Sequence, residues 1–308
     1  MFYCNLEHII KTQSSKNKST AKGRFHYITR TAEFTRYKEN SQEKVEFVKS
    51  GNMPKFAEGK PAEFWQAADL YERKNGRVSS SLVIALPKEL STKQRIELAE
   101  KFITELADRY QFPYTCSIHT HAGSLGGEEQ PHLHFMYSER HVDEIDRTLE
   151  QFFKRYNPKH PEKGGAQKLT ADVLGLGKGQ LQLYREKTEQ LINHSLERYA
   201  STKILEIKGV KVKVPNFVSC LSNEDYNKKY GTALQDVPMM NKAIRYAQPS
   251  NLERYQQKQE MTAEINRIRT ENRYELYKSY YEAEYQRQST LKEKNIKKEL
   301  NIYDNFNF

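Results

Sequence analysis

The run HLHFMY at residues 132–137 limits what this chain can fold into more than any other stretch. Successive side chains on a β-strand point to opposite faces. His132 and His134 therefore share one face, and Leu133 and Phe135 fill the other. Residues 114–119, YTCSIH, alternate in the same way, with Thr115, Ser117 and His119 on a common face. A turn between the two runs makes 114–137 a long antiparallel hairpin. Twelve residues separate His119 from His132, so the hairpin brings His119 beside the histidine pair without strain.

The rest of the chain supplies the elements such a hairpin needs around it. Residues 2–9 alternate and predict a short strand, and the polar run 11–20 predicts a loop. Ser19 or Thr20 caps a helix that runs to about Thr31, with Ala21, Phe25, Ile28 and Ala32 at helical spacing. Residues 35–60 read as a long loop containing Gly51, Pro54 and Gly59. A helix follows between Pro61 and Gly76, then a strand from Val78 to Leu86. Ser91 and Gln94 have capping-box spacing ahead of an apolar helical face of Leu98, Ala99, Phe102, Ile103 and Leu106. Residues 139–156 and 179–200 predict two further helices, separated by the Pro- and Gly-containing run 157–168. A small hairpin is expected over 203–218, an irregular stretch over 219–249, and a charged, Tyr-rich helix from Asn251 to about Leu300. The fold class is α+β, a central antiparallel β-sheet flanked by helices and followed by a largely helical C-terminal region.

Composition narrows the setting. The 308 residues carry a formal net charge of +10, with a pI near 9.2 and a mean hydropathy of −0.90. A basic surface favours polyanionic partners. Cys4, Cys116 and Cys220 have no paired spacing, which argues for a reducing compartment and against a disulfide scaffold. The start, MFYCNLEHII, carries Glu7 and His8 inside its apolar stretch, unlike a signal peptide. No run approaches the ~20 apolar residues of a membrane helix. The expectation is a cytoplasmic protein without membrane insertion.

Three neutral imidazoles on one sheet face leave the charge of a divalent cation uncancelled and leave coordination positions open for water or a phosphate oxygen. An HxH pair alone is a weak sign, and a tolerated pair of half-buried histidines is the plain alternative. His119 strengthens the metal reading. His121, two residues further on, is a competing third ligand or a loop histidine.

Several runs then carry a family resemblance: AKGRFHYITR, AADLYERKNGR, IALPKELS, SIH, QPHLHFMYSER and FKRYNPKHPEKGGAQK, in this order. Together they resemble the relaxase domain of MobA/MobL (MobQ-type) plasmid mobilisation proteins, over about residues 1–200. The resemblance implies an HUH endonuclease with the histidine pair on a middle strand of its sheet. It implies Mg or Mn held by His119, His132 and His134, and Tyr27 as the nucleophile. It also implies nicking and rejoining of single-stranded or melted DNA at an origin of transfer through a 5′-phosphotyrosine. Accessory mobilisation proteins and a conjugative secretion apparatus are the partners it suggests. The expected organisation is a relaxase domain over 1–200, an irregular extension with a small hairpin over 201–250, and a charged helical tail over 251–308, with 251–300 a candidate for self-association.

Arg24 and Arg30 lie three residues either side of Tyr27, on nearby helix faces, and are candidates to hold a phosphate. Arg73, Arg77, Lys154, Arg155, Lys163 and Lys168 are further candidate DNA contacts, joined by Arg36, Lys38, Lys74 and Lys159. Trp65, Phe153 and Tyr156 are candidates for base stacking, although a Trp on a helix usually belongs to the core. The chain departs from the family pattern before the ALP motif, where Ser81 and Val83 stand in place of acidic residues. The loop between His119 and His132 is longer than the family's, and it carries Glu128 and Glu129. Two other readings remain open at this level. One is a replication initiator of the HUH type; the other is a non-catalytic basic nucleic-acid-binding protein with a structural metal.

Overall fold

The computed structural model describes residues 2–11, 20–36, 43–123 and 128–305. The first compact unit comprises residues 1–200 with 217–220, and the second comprises 201–216 with 221–308.

The first unit is built on a five-stranded antiparallel sheet. In chain order its elements are β1 (Cys4–Ile10), α1 (Ala21–Thr29), β2 (Lys44–Gly51), α2 (Pro61–Tyr71), β3 (Arg77–Ala85), α3 (Thr92–Leu106), β4 (Tyr114–Ala122), β5 (Glu129–Tyr137), the one-turn α4 (Leu149–Phe152) and α5 (Gln180–Tyr199). The strands lie in the order β1-β3-β5-β4-β2. The HLHFMY run is thus the middle strand, as its two-sided burial demands. β4 and β5 form the expected hairpin, with His119 directly opposite His132 and Ser117 opposite His134. On the other side of β5, Val83 pairs with His134 and Ser81 with Met136.

Alternation sorts the core into two layers. Leu82, Ile84, Cys116, Ile118, Leu133 and Phe135 pack against Leu98, Phe102 and Ile103 of α3 and Ile192 and Leu196 of α5. The opposite face, with Ile9, Val78 and Met136, is covered by Phe25 and Ile28 of α1, Phe64 and Trp65 of α2, and Phe152, Phe153 and Ala166. The capping box at Ser91 and Gln94 forms as its spacing requires. Trp65 is fully buried and donates its indole N–H to Thr115 Oγ1 at 3.0 Å, so it belongs to the core and does not stack bases.

Three readings of the sequence are corrected. The long loop expected over 35–60 contains β2, which pairs with β4 from Tyr114 to Thr120. A bulge between Val45 and Phe47 breaks its alternation, and its inward carboxylate, Glu46, is spent on a buried ion pair with Arg95 at 2.6 Å. The helix expected over 139–156 shrinks to α4. Its charged residues turn inward instead: Arg140 forms a β-bridge with Lys168 and Arg147 bonds Asp143 and the carbonyls of Gly164 and Pro161. The stretch 219–249 holds two short helices, α6 (Asn223–Tyr230) and α7 (Lys242–Arg245). Ser19 lies outside the described residues, and Thr20 caps α1.

The second unit opens with the hairpin β6 (Thr202–Ile207) and β7 (Val210–Pro215). The C-terminal region is helical but broken in two, α8 (Leu252–Leu276) and α9 (Lys278–Asn305). Tyr277 at the break is buried with Ile207, Val212 and Val214 of the hairpin.

Candidate metal centre

The site is assembled on the sheet face covered by α1 and α2. α1 is fixed at its start by two caps. Thr20 Oγ1 accepts the Gly23 N–H at 2.9 Å, and the Asp69 carboxylate of α2 accepts the Ala21 and Lys22 N–H groups at 2.8 and 2.9 Å. It ends at Arg30, whose left-handed φ of 52° closes the last turn through bonds to the His26 and Tyr27 carbonyls. Between these fixed ends, Tyr27 is held over the sheet. Its ring meets that of His134 edge-on at 5.8 Å and that of Phe34 at 5.6 Å.

Beneath it, His119, His132 and His134 each offer a ring nitrogen, and these nitrogens lie within 4.8 Å of one another. Ring centroids are 4.8 Å apart for His119 and His134, 4.7 Å for His132 and His134, and 5.6 Å for His119 and His132. This is the only such group among the described residues. His121 stands beside His132 at 5.0 Å but outside the group, with Nδ1 turned to the Ala122 carbonyl.

The donor chemistry fits a cation. His119 Nε2 bonds the Ile28 carbonyl at 2.6 Å, which makes Nε2 the protonated nitrogen and leaves the lone pair on Nδ1. That Nδ1 faces Glu43 Oε1 at 3.4 Å, outside hydrogen-bond geometry. Both nitrogens of His134 are buried without a hydrogen bond, as are the hydroxyls of Ser81 and Ser117 on the same sheet face. Burial, opposed by a bond to the Gln130 carbonyl and helped by the neighbouring His119 and His121, brings the His132 imidazole down to about 4. Burial, then His132 and His119, hold His134 well below the ordinary histidine range. Both rings therefore keep their lone pairs at neutral pH.

Glu43 lies in the segment 35–60 that the sequence predicts as loop, so no local pattern marks it. It accepts from the Arg30 guanidinium at 2.7 to 3.1 Å in a two-pronged pair and contacts His119. Burial alone would raise its carboxyl, but His119 and Arg30 bring it down to about 2. Arg30 in turn lies 4.2 Å over the Tyr27 ring and donates to the Tyr27 carbonyl. One chain of contacts thus runs from Tyr27 through Arg30 and Glu43 to His119.

The expected DNA contacts divide. Arg30 is only 3% exposed, with its guanidinium paired to Glu43. Lys168 is largely buried, donating to the Arg77 carbonyl at 2.6 Å and pairing with Glu72 at 3.3 Å. Arg77 pairs with Glu139 and Arg24 with Glu7, both at 2.9 Å. Arg73, Lys74, Lys154, Arg155, Lys159, Lys163 and Arg36 are exposed. Phe153 is buried in the core, while Tyr156 is partly exposed. Ser81 and Val83 flank the site with no carboxylate, and Glu128, exposed, pairs with Lys88 at 2.8 Å. Lys38 and residues 124–127 of the hairpin loop lie outside the described residues.

Comparison with known proteins adds four findings. The family model described as the MobA/MobL family matches residues 13–213. Mobilization protein A of Escherichia coli is 43% identical over 206 residues, covering 65% of this chain and 27% of that protein. A 43 kDa relaxation protein of Salmonella typhimurium is 37% identical over 198 residues, covering 64% of this chain and 52% of that protein. The chain therefore spans about a quarter and about half of these relatives. A solved structure bearing on vancomycin resistance transfer in Staphylococcus aureus superposes on 65% of this chain and 94% of its own, at 20% identity and a TM-score of 0.44.

Proposed function

Because the chain belongs to the MobA/MobL family, we propose that it is a plasmid mobilisation relaxase, which nicks and rejoins one DNA strand at an origin of transfer. Residues 1–200 carry this activity, Tyr27 is its nucleophile, and His119, His132 and His134 hold a divalent metal, Mg or Mn. The observation that carries the reading is the approach of Tyr27, 5.8 Å ring to ring, to a trio of histidines whose nitrogens converge within 4.8 Å.

Bound there, the metal would act as a Lewis acid on the scissile phosphate. Tyr27 would attack phosphorus through its phenol oxygen, losing its proton. The bond to the 3′ oxygen would break, leaving the 5′ phosphate on Tyr27 and a 3′ hydroxyl that has gained a proton. The phosphotyrosine keeps the phosphodiester chemistry nearly balanced, so attack by a 3′ hydroxyl rejoins the strand. Glu43 would fix the ring of His119, and Arg30 would hold Tyr27 against the trio. The strand must be single or melted to enter a site roofed by α1.

Metal dependence tests this reading. With single-stranded origin DNA and Mn, cleavage is expected, and it should vanish on chelation and in His132→Ala. Cleavage that survives both would remove the histidine trio from the mechanism.

A further inference from the structure

The Glu72–Arg140 ion pair is buried to about the same depth on both sides, with side chains 1% and 2% exposed. Arg140 binds both Glu72 oxygens, at 2.9 and 3.0 Å. Its remaining N–H groups go to carbonyls: Phe152 at 3.2 Å, Lys154 at 3.1 Å, Ala166 at 2.8 Å and Phe153 at 2.7 Å. One guanidinium thus ties the turn after α2 to the loop after α4. Two glycines lock that loop: a Cβ on Gly165 would sit 2.1 Å from the Lys154 carbonyl oxygen, and one on Gly164 would sit 2.5 Å from the Asn157 nitrogen.

What this arrangement displays outward is charge. Arg73 and Lys74 follow Glu72 directly, and Lys154 and Arg155 follow the carbonyls that Arg140 binds; all four are exposed. Lys159 and Lys163 extend the same loop. Arg155, Lys159 and Lys163 have no ion pair among the described residues, and Lys154 has only a partner at 3.4 Å, Glu150. A solvated cationic face needs no such internal clamp. A surface that must present cations at fixed spacing does, because preorganisation removes the ordering cost on binding. The clamp packs into the same apolar layer as α1 and α2, on the sheet face that carries the histidine trio.

We infer that the turn at 72–77 and the loop at 152–168 form one preorganised clamp for DNA phosphates, separate from the metal–tyrosine site. It rests on the proposed function only in taking DNA as the partner. Phosphate contacts carry no sequence information, so short fluorescein-labelled DNA of mixed sequence, as single strand and as duplex, is a sufficient probe. The variant combines Arg73→Ala, Lys74→Ala, Lys154→Ala and Arg155→Ala, all exposed side chains outside the buried pair. A matched variant removes Lys93, Arg109, Lys178 and Arg198, exposed cations on or beside α3 and α5.

For the clamp variant, the slope of log affinity against log salt should fall by roughly 3, at about 0.7 to 0.9 per lost contact. The matched variant should keep the wild-type slope. Whichever of single strand and duplex shows the larger loss is the form the clamp holds. The inference is overturned if the clamp variant keeps the wild-type slope, if the matched variant loses as much, or if the clamp variant loses binding to anionic vesicles but not to DNA. Tyr27-dependent strand cleavage should be unchanged in the matched variant. Its absence in wild type would count against the relaxase reading and leave the clamp result standing.

Discussion

Glu43 orders the chemistry of the site at the scale of single residues. It joins the helix that carries Tyr27 to the strand that carries His119, through Arg30 on one side and His119 on the other. Groups that orient a metal-binding histidine usually cost 10- to 100-fold in affinity when lost. Glu43→Gln is therefore expected to weaken Mn binding about 10- to 100-fold by calorimetry; unchanged binding would leave Glu43 a structural ion pair only. The depressed histidines give a second expectation. In the unfolded chain they take up protons near 6.5, whereas folded His132 resists to about 4. The metal-free fold then binds fewer protons than the unfolded chain between these values, so its stability falls as pH drops through that window. Melting temperature should decline from pH 6.5 toward pH 4 in wild type, and less steeply in His132→Ala. A parallel decline in both would show that His132 does not set it.

At the scale of elements, the legible parts were those with a clean period. The 114–137 hairpin announced itself because every second residue of β5 is apolar on one side and histidine or methionine on the other. α3 did so through its capping box and apolar face. β2 was hidden because a bulge breaks its period and its inward glutamate is neutralised by Arg95, a partner 49 residues away. The segment 139–156 misled because Val142, Ile145 and Leu149 have helical spacing while Arg140 and Arg147 supply hydrogen bonds that a helix would have made internally. Glu43 and Arg140, the two groups that organise the site and the basic loop, act only through distant partners, so no local pattern reveals them. Tyr27 is marked by the family resemblance and not by spacing. The cost of losing such a buried partner is large: Arg140→Ala leaves Glu72 with Lys168 at 3.3 Å and strips four carbonyls of their donor, and should destabilise the fold by about 3–5 kcal/mol. Denaturant unfolding would read this, and a loss under about 1 kcal/mol would show that Glu72 and the four carbonyls find other partners.

At the scale of the whole molecule, metal binding and folding are linked, because the trio converges only when β4, β5 and α1 are in place. A ligand that binds only the folded chain stabilises it by about 2.7 kcal/mol at a hundred times its dissociation constant. Adding Mn should thus raise the melting temperature of wild type and not of His132→Ala; an equal rise in both would place Mn elsewhere. Among the described residues no helix is long and apolar enough to cross a membrane, and the net charge of +10 suits a polyanionic partner. The measurement closest to the central claim is the covalent adduct. Wild-type protein incubated with single-stranded origin DNA and Mn should give a protein–DNA species that survives SDS, and peptide mapping should place the DNA on Tyr27. Tyr27→Phe, folded and still binding Mn, should give none. An equal yield from the Phe variant, or no adduct from wild type, would contradict the account.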